Sequence, residues 1–225
     1  MDVVLAVQVL RCVPPEHERA VFAGSGVNSK IAVNLPASLL SKWIASSAGD
    51  IDFRSVTLSA EQWVQVVAAI CLAPASAVQS LHVRLPYREM EYFMVVMTAL
   101  RSIMAHTTHL QFLGLYGLPC RSEQLPVLHQ LLSECPGSLD QLMLDTQTGL
   151  RLHEKTSFFA AVAQVHGLKD LHMPKWVNFI SDASHLEACD PLRSIPGLMI
   201  FVLKSHSEGA GCRNRFPPDL EFHGS

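Results

Sequence analysis

The chain is short of charge, has no strongly basic stretch and has no paired-cysteine spacing, and each shortage removes a class of function. Only 16% of its 225 residues are charged, against about 25% in ordinary soluble domains. With 49% hydrophobic residues, this leaves two readings. Either part of a nearly neutral surface is covered by a partner, as in a subunit of a larger complex, or a large core sits beneath an uncharged exterior. Lys and Arg number 17 against 20 Asp and Glu, a formal net charge of −3. A nucleic-acid binder must neutralise many phosphates, so nucleic acid is not expected as a partner. Nor is there an electrostatic reason to sit on an anionic membrane. No run approaches the roughly 18 consecutive apolar residues that a membrane helix needs. The start, MDVVLAVQVLRCVPP, carries an acidic residue where a signal peptide would be basic. Six cysteines (Cys12, Cys71, Cys120, Cys135, Cys189 and Cys212) are scattered without a CxxC pair. They read as reduced thiols, and the expected compartment is cytoplasmic.

What the chain does have is a repeat. Three segments share the form apolar-x-x-apolar-x-apolar: Leu110-Gln-Phe-Leu113-Gly-Leu115, Leu139-Asp-Gln-Leu142-Met-Leu144 and Leu168-Lys-Asp-Leu171-His-Met173. Looser copies begin at Asn28, Phe53 and Val78 upstream and at Leu198 downstream. Successive starts lie roughly 25–32 residues apart, a spacing proper to repeat architectures. Each hexad ends in the period-two alternation of a strand with one buried face. The intervening segments step by three and four instead, as a helix does. The stripes are Trp63, Val67, Ile70 and Cys71; Met90, Phe93, Met97, Leu100 and Met104; Leu125, Leu128, Leu131 and Leu132; and Phe158, Phe159, Val162 and Val165. Ser59 and Gln62 have capping-box spacing ahead of the Trp63 helix, while Pro86 and Gly137 punctuate boundaries.

Strand–helix alternation at this period fits either a doubly wound open sheet or a solenoid with strands inside and helices outside. A doubly wound sheet has near-continuous apolar strands, because helices cover both faces. The hexads keep polar residues at positions two, three and five, which leaves one face open and favours the solenoid. On these hexads the sequence, over about residues 28–205, resembles the ribonuclease-inhibitor-like leucine-rich repeats. The resemblance implies an α/β solenoid with a parallel sheet on the concave face, helices on the convex face, and protein recognition on the sheet. Members usually place Asn or Cys three positions after the hexad to bond the turn. Here Glu61, Pro86, Leu118, Gln147 and Trp176 stand there, so the Asn ladder is absent and the solenoid should be irregular. The expected organisation is an N-terminal cap or frayed first repeat over 1–27, the solenoid over 28–204 and a flexible tail over 205–225.

No residue constellation points to catalysis. Gly24-Ser-Gly-Val-Asn-Ser-Lys30 lacks the Gly directly before Lys and the Ser or Thr after it that a phosphate loop requires, and reads as a turn into a strand. His185, Cys189, His206 and Cys212 match no common zinc spacing. His82 and His172 both occupy position five, but three strands at about 4.8 Å each separate them too far to share a metal. Cys71 reads as core, and so does the Met-rich stretch over 90–104. No cofactor or metal is expected.

The outward hexad positions hold Arg54, Thr57, Gln79, His82, Arg84, Phe112, Tyr116, Gln141, Met143, Asp145, Lys169, Asp170 and His172. Tyr, Phe, Met and Arg are the types enriched at interface cores. The candidate partner-binding patch is therefore Phe112, Tyr116 and Met143, flanked by Arg84, Asp145 and His172. The leading function is a non-catalytic protein-interaction module or scaffold. The alternative is an α/β enzyme on an open parallel sheet, with Asp145, Lys175 and His206 beyond the strand ends. A ubiquitin-ligase adaptor ranks lower, because the segment 1–27 is too short to hold an F-box before the repeats.

Overall fold

The computed structural model describes residues 14, 17, 21–22, 27–85, 90–118, 121–146, 152–173, 188–201 and 222–223. They fall in two units, Met1–Gln111 and Phe112–Ser225, and strands alternate with helices in each.

The first unit runs α1 (Ser29–Ala32), α2 (Ala37–Ser46), β1 (Asp50–Phe53), α3 (Ala60–Leu72), β2 (Ser80–Arg84) and α4 (Met90–His106). β1 and β2 are parallel, with Ile51 opposite Leu81 and Phe53 opposite Val83. All four of these side chains are at most 1% exposed. The capping box expected at α3 is present. Ser59 Oγ accepts from the Gln62 amide at 3.2 Å, and Gln62 Oε1 accepts from the Ser59 amide at 2.8 Å. Two orphan donors at the helix start are thereby satisfied. Trp63 lies edge-on to Phe53 at 6.3 Å between ring centroids. Its indole N–H donates to the Tyr92 hydroxyl at 3.4 Å, and that hydroxyl donates to the Leu58 carbonyl. Helix α3 is thus bound to α4 and to the strand that precedes it.

Two expected strands are misplaced here. The segment from Asn28 is helical, because the Asn28 carboxamide accepts from the Lys30 amide at 3.1 Å and caps α1. An apolar residue at i, i+3 and i+5 suits a short helix as well as a strand. Gly24–Lys30 accordingly leads into a helix, with residues 23–26 outside the described set. The hexad expected from Phe53 starts about one strand too late: β1 ends at Phe53, and Arg54 and Ser55 form a turn. Its entry is set by Gly49, whose φ of +90° suits a residue without Cβ. A Cβ there would also lie 3.0 Å from the Gln79 side chain. Helix α3 buries Trp63, Val66, Ala69 and Ile70, leaving Cys71 exposed rather than in the core. Cys71 stands about 100° around the helix from Ile70, off the buried stripe. In α4 the Met-rich stripe is core: Phe93, Met97, Leu100 and Met104 are all at most 3% exposed.

The second unit runs β3 (Phe112–Leu118), α5 (Leu125–Ser133), β4 (Gln141–Thr146), α6 (Leu152–Val162), β5 (Asp170–His172), a 3-10 helix (Asp190–Ser194), β6 (Met199–Phe201) and β7 (Phe222–His223). Its strands are parallel in chain order. Leu113, Leu142 and Leu171 form one buried row, and Leu115 and Leu144 the next. The leucine stripe of α5 and the Phe158, Phe159, Val162 and Val165 stripe are buried as the spacing predicts. The two helices are tied by His129, whose Nε2 lies 2.6 Å from the Ser157 carbonyl oxygen. A carbonyl only accepts, so that nitrogen carries the proton. In the final hexad, Ile200 rather than Phe201 stands opposite Leu171, one residue earlier than expected. β7 pairs with β6, while the rest of the expected tail, like most of 1–27, lies outside the described residues.

Candidate functional site

Parity along β3 decides which side chains leave the core. Leu113 and Leu115 are fully buried, so Phe112, Gly114 and Tyr116 share the other face, where Phe112 and Tyr116 are half-buried. Strict alternation would also bring Leu118 out. Instead Tyr116 pairs with Asp145 and Leu118 with the next residue, Thr146, so β3 carries one extra residue at Gly117, whose φ is +70°. This bulge turns Leu118 inward, where it is fully buried. The position that would hold an Asn-ladder residue is thus an apolar core position.

Register builds the open face into rows. Phe112 stands opposite Gln141, and Gln141 opposite Asp170; Gly114 stands opposite Met143, and Met143 opposite His172; Tyr116 stands opposite Asp145. Neighbours within a row are about 4.8 Å apart. Gln141 Nε2 donates to Asp170 Oδ2 at 3.1 Å. The other carboxylate oxygen, Asp170 Oδ1, is buried and accepts no hydrogen bond among the described residues. Burial lowers the pKa of His172 from its ordinary 6.5, partly opposed by the Asp170 carboxylate, so the ring is neutral near pH 7. Lys169 sits beside the rows and pairs with Asp140 at 3.3 Å.

Five of the six candidate residues, Phe112, Tyr116, Met143, Asp145 and His172, therefore share one face of one unit. Arg84 belongs to the first unit, where it is exposed at the end of β2. Gly114 was missed, and strand parity alone would have found it.

The first unit's open face holds a polar cluster that the misplaced hexad concealed. Arg54 binds Asp52 through Nε and Nη2, the closer contact at 2.7 Å, and holds that carboxyl below its ordinary pKa. His82 Nε2 lies 3.0 Å from Ser80 Oγ and 3.4 Å from Asp50 Oδ1. Serine, histidine and aspartate together suggest a nucleophile triad, but both partners address the same ring nitrogen. A base that takes a proton on one nitrogen must be oriented through the other. Burial also lowers the His82 pKa, with Asp50 opposing. Among the described residues no three His, Cys, Asp or Glu side chains converge as metal ligands. His185, His206, Cys212 and Lys175 lie outside the described set. No helix among the described residues is long and apolar enough to cross a membrane.

Parallel strands at a regular period, alternating with helices and burying one face, define a leucine-rich-repeat fold. The chain is similar in structure to the leucine-rich repeat-containing protein LegL7 from Legionella pneumophila. The TM-score is 0.50 at 16% identity over 89% of this chain and 70% of that one. No family model and no curated protein matches the sequence.

Proposed function

We propose that the chain is a non-catalytic protein-interaction module that binds a protein partner on the open face of its second unit. The observation that carries this reading is the convergence of Phe112, Tyr116 and Met143 on that face, around a glycine that adds no side chain. Aromatic and Met side chains offer large contact area, and half-burial already limits their rotamer freedom, so ordering them on binding costs little. Asp145 and His172 flank this centre. Arg84 takes no part in the reading, which rests on second-unit residues alone. Among the described residues, Ser80 and Asp50 both approach the same ring nitrogen of His82, which supports the non-catalytic reading. The chain works in the cytoplasm, on this reading, as a scaffold subunit.

The test places a photo-crosslinking amino acid at position 143 and identifies covalent adducts formed in cells. One recurrent protein adduct is expected, and Phe112→Ala with Tyr116→Ala should weaken capture of that protein at least about thirtyfold, the scale of a hot-spot residue near 2 kcal/mol. Unchanged capture by the folded double variant would refute the assignment of the face.

A further inference from the structure

The helical layer of the first unit carries an apolar stripe on its outward side. We propose that a second copy of this chain covers it, with α3 packed antiparallel on α3 of that copy about a two-fold axis at Ala68. The proposal concerns the first unit alone and is independent of the second unit's open face.

Val64 and Leu72 on α3 are 66% and 65% exposed, and Met94 on α4 is 40% exposed. Val64, Ala68 and Leu72 follow one another at four-residue steps and so lie along one side of α3. The exposed Cys71 stands beside them. The Trp63 indole reaches the Tyr92 hydroxyl near the start of the two helices, and His106 Nε2 lies 3.3 Å from the Ala73 carbonyl oxygen at their ends. Helices α3 and α4 therefore run side by side in the same direction, which sets Met94 next to Val64. The sequence from Gln62 to Val83 contains no Asp, Glu, Lys or Arg. Solvation alone does not produce such a stripe, because the second unit's helices α5 and α6 expose the polar Gln130, Ser133, His153 and Thr156. An apolar run left on the outside of a helix marks a contact surface.

The occupant is identified by the way the stripe complements itself. A two-fold interface joins one patch to the same patch, so the patch must fit its own reversed image. Val64 and Leu72 stand four residues, about 6 Å, to either side of Ala68. Reversal lays Val64 against Leu72 of the second copy at both ends, while the small Ala68 lets the backbones approach at the axis. Charge selects the same arrangement. Glu61 and Glu91 are exposed near the N-terminal ends of α3 and α4. A parallel pairing would set each Glu61 against its copy. The antiparallel one parts them by about 21 Å along the helix, beyond the screening length of about 8 Å. An anionic membrane surface would be drawn to Lys and Arg beside the stripe, and α3 bears an acid as its only charge.

The experiment measures the mass of the full chain by sedimentation equilibrium over a range of concentrations, and a reversible dimer is expected. Val64→Glu and Leu72→Lys should each raise the dimer dissociation constant about tenfold or more, since a charge is then buried against an apolar side chain. The two positions face each other across the axis, so the variant carrying both should recover most of the affinity. Both side chains are mostly exposed, and chemical denaturation should find the fold unchanged. In a Cys71→Ser background, Ala68→Cys should form a disulfide-linked dimer under mild oxidation, and Gln130→Cys should not. A chain that is monomeric at every concentration, single variants that leave the dimer intact, a double variant no better than the singles, or equal cross-linking at positions 68 and 130 would overturn the proposal. So would a monomeric chain that binds lipid vesicles or a different protein through Val64.

Discussion

The two units build their open faces from the same strand positions and reach opposite outcomes. In the first, Asp52 is met by Arg54, and Asp50 and Ser80 both meet His82, so the polar groups of the face answer one another. In the second, aromatic and Met side chains surround a glycine, and an aspartate oxygen lacks a donor among the described residues. The core rows beneath are equally well buried in both. A leucine-rich core therefore fixes the frame and leaves the open positions free to vary. A face whose polar groups satisfy one another has little left to offer a partner, whereas one that leaves aromatic area and acceptor capacity unused does.

The contrast can be broken most forcefully in the core. Trp63→Ala removes a side chain that is 2% exposed, its contact with Phe53 and its link to Tyr92. The expected cost is about 3–5 kcal/mol, read by chemical denaturation. Phe112→Ala and Tyr116→Ala should cost less, since both side chains are half-buried. Comparable losses would make the second unit's aromatics structural and undo the comparison.

A smaller effect comes from acid. His82 and His172 both have folded pKa values below 6.5 because burial disfavours the charged ring. The unfolded chain then binds the proton more readily, so stability is full above the ordinary histidine pKa and declines as pH falls below it. The melting temperature should drop between about pH 7.5 and about pH 5.5, where free histidine titrates. His82→Gln and His172→Gln should each flatten part of that drop. A pH profile that neither substitution alters would show that neither ring is held neutral by the fold.

The smallest effect is expected at the ion pair of the first unit's polar cluster. Arg54 and Asp52 are 51% and 40% exposed, so water screens them. Asp52→Asn should change stability by less than about 0.5 kcal/mol. A loss beyond about 1 kcal/mol would show the polar cluster to be a support of the unit.

How much of this the sequence disclosed follows from how constrained each segment is. From Val78 to Met173, leucines at hexad positions coincide with helical stripes between them, and strands, helices and the buried faces of α4 to α6 all follow. Phe112, Tyr116, Met143, Asp145 and His172 could be placed outward for the same reason. The earlier hexads failed because apolar residues at i, i+3 and i+5 are not peculiar to strands. Asn28 capped a helix instead, and the true strand, Asp-Ile-Asp-Phe, was overlooked. Its strict alternation and its glycine entry were the available signals. The bulge at Gly117 could not be foreseen from alternation, since it is the point where alternation stops.

The backbone bonds that join one repeat to the next carry a consequence for descent. In the second unit the Lys169 amide donates to the Asp140 carbonyl and the Met199 amide to the Lys169 carbonyl, each at 2.7 Å. These donors and acceptors belong to every peptide unit, whichever side chain is attached. Gene duplication could therefore add or delete one strand-and-helix segment and leave its neighbours' register intact. The open rows would lengthen or shorten by one column, and a lineage could redraw its recognition surface without inventing a new core.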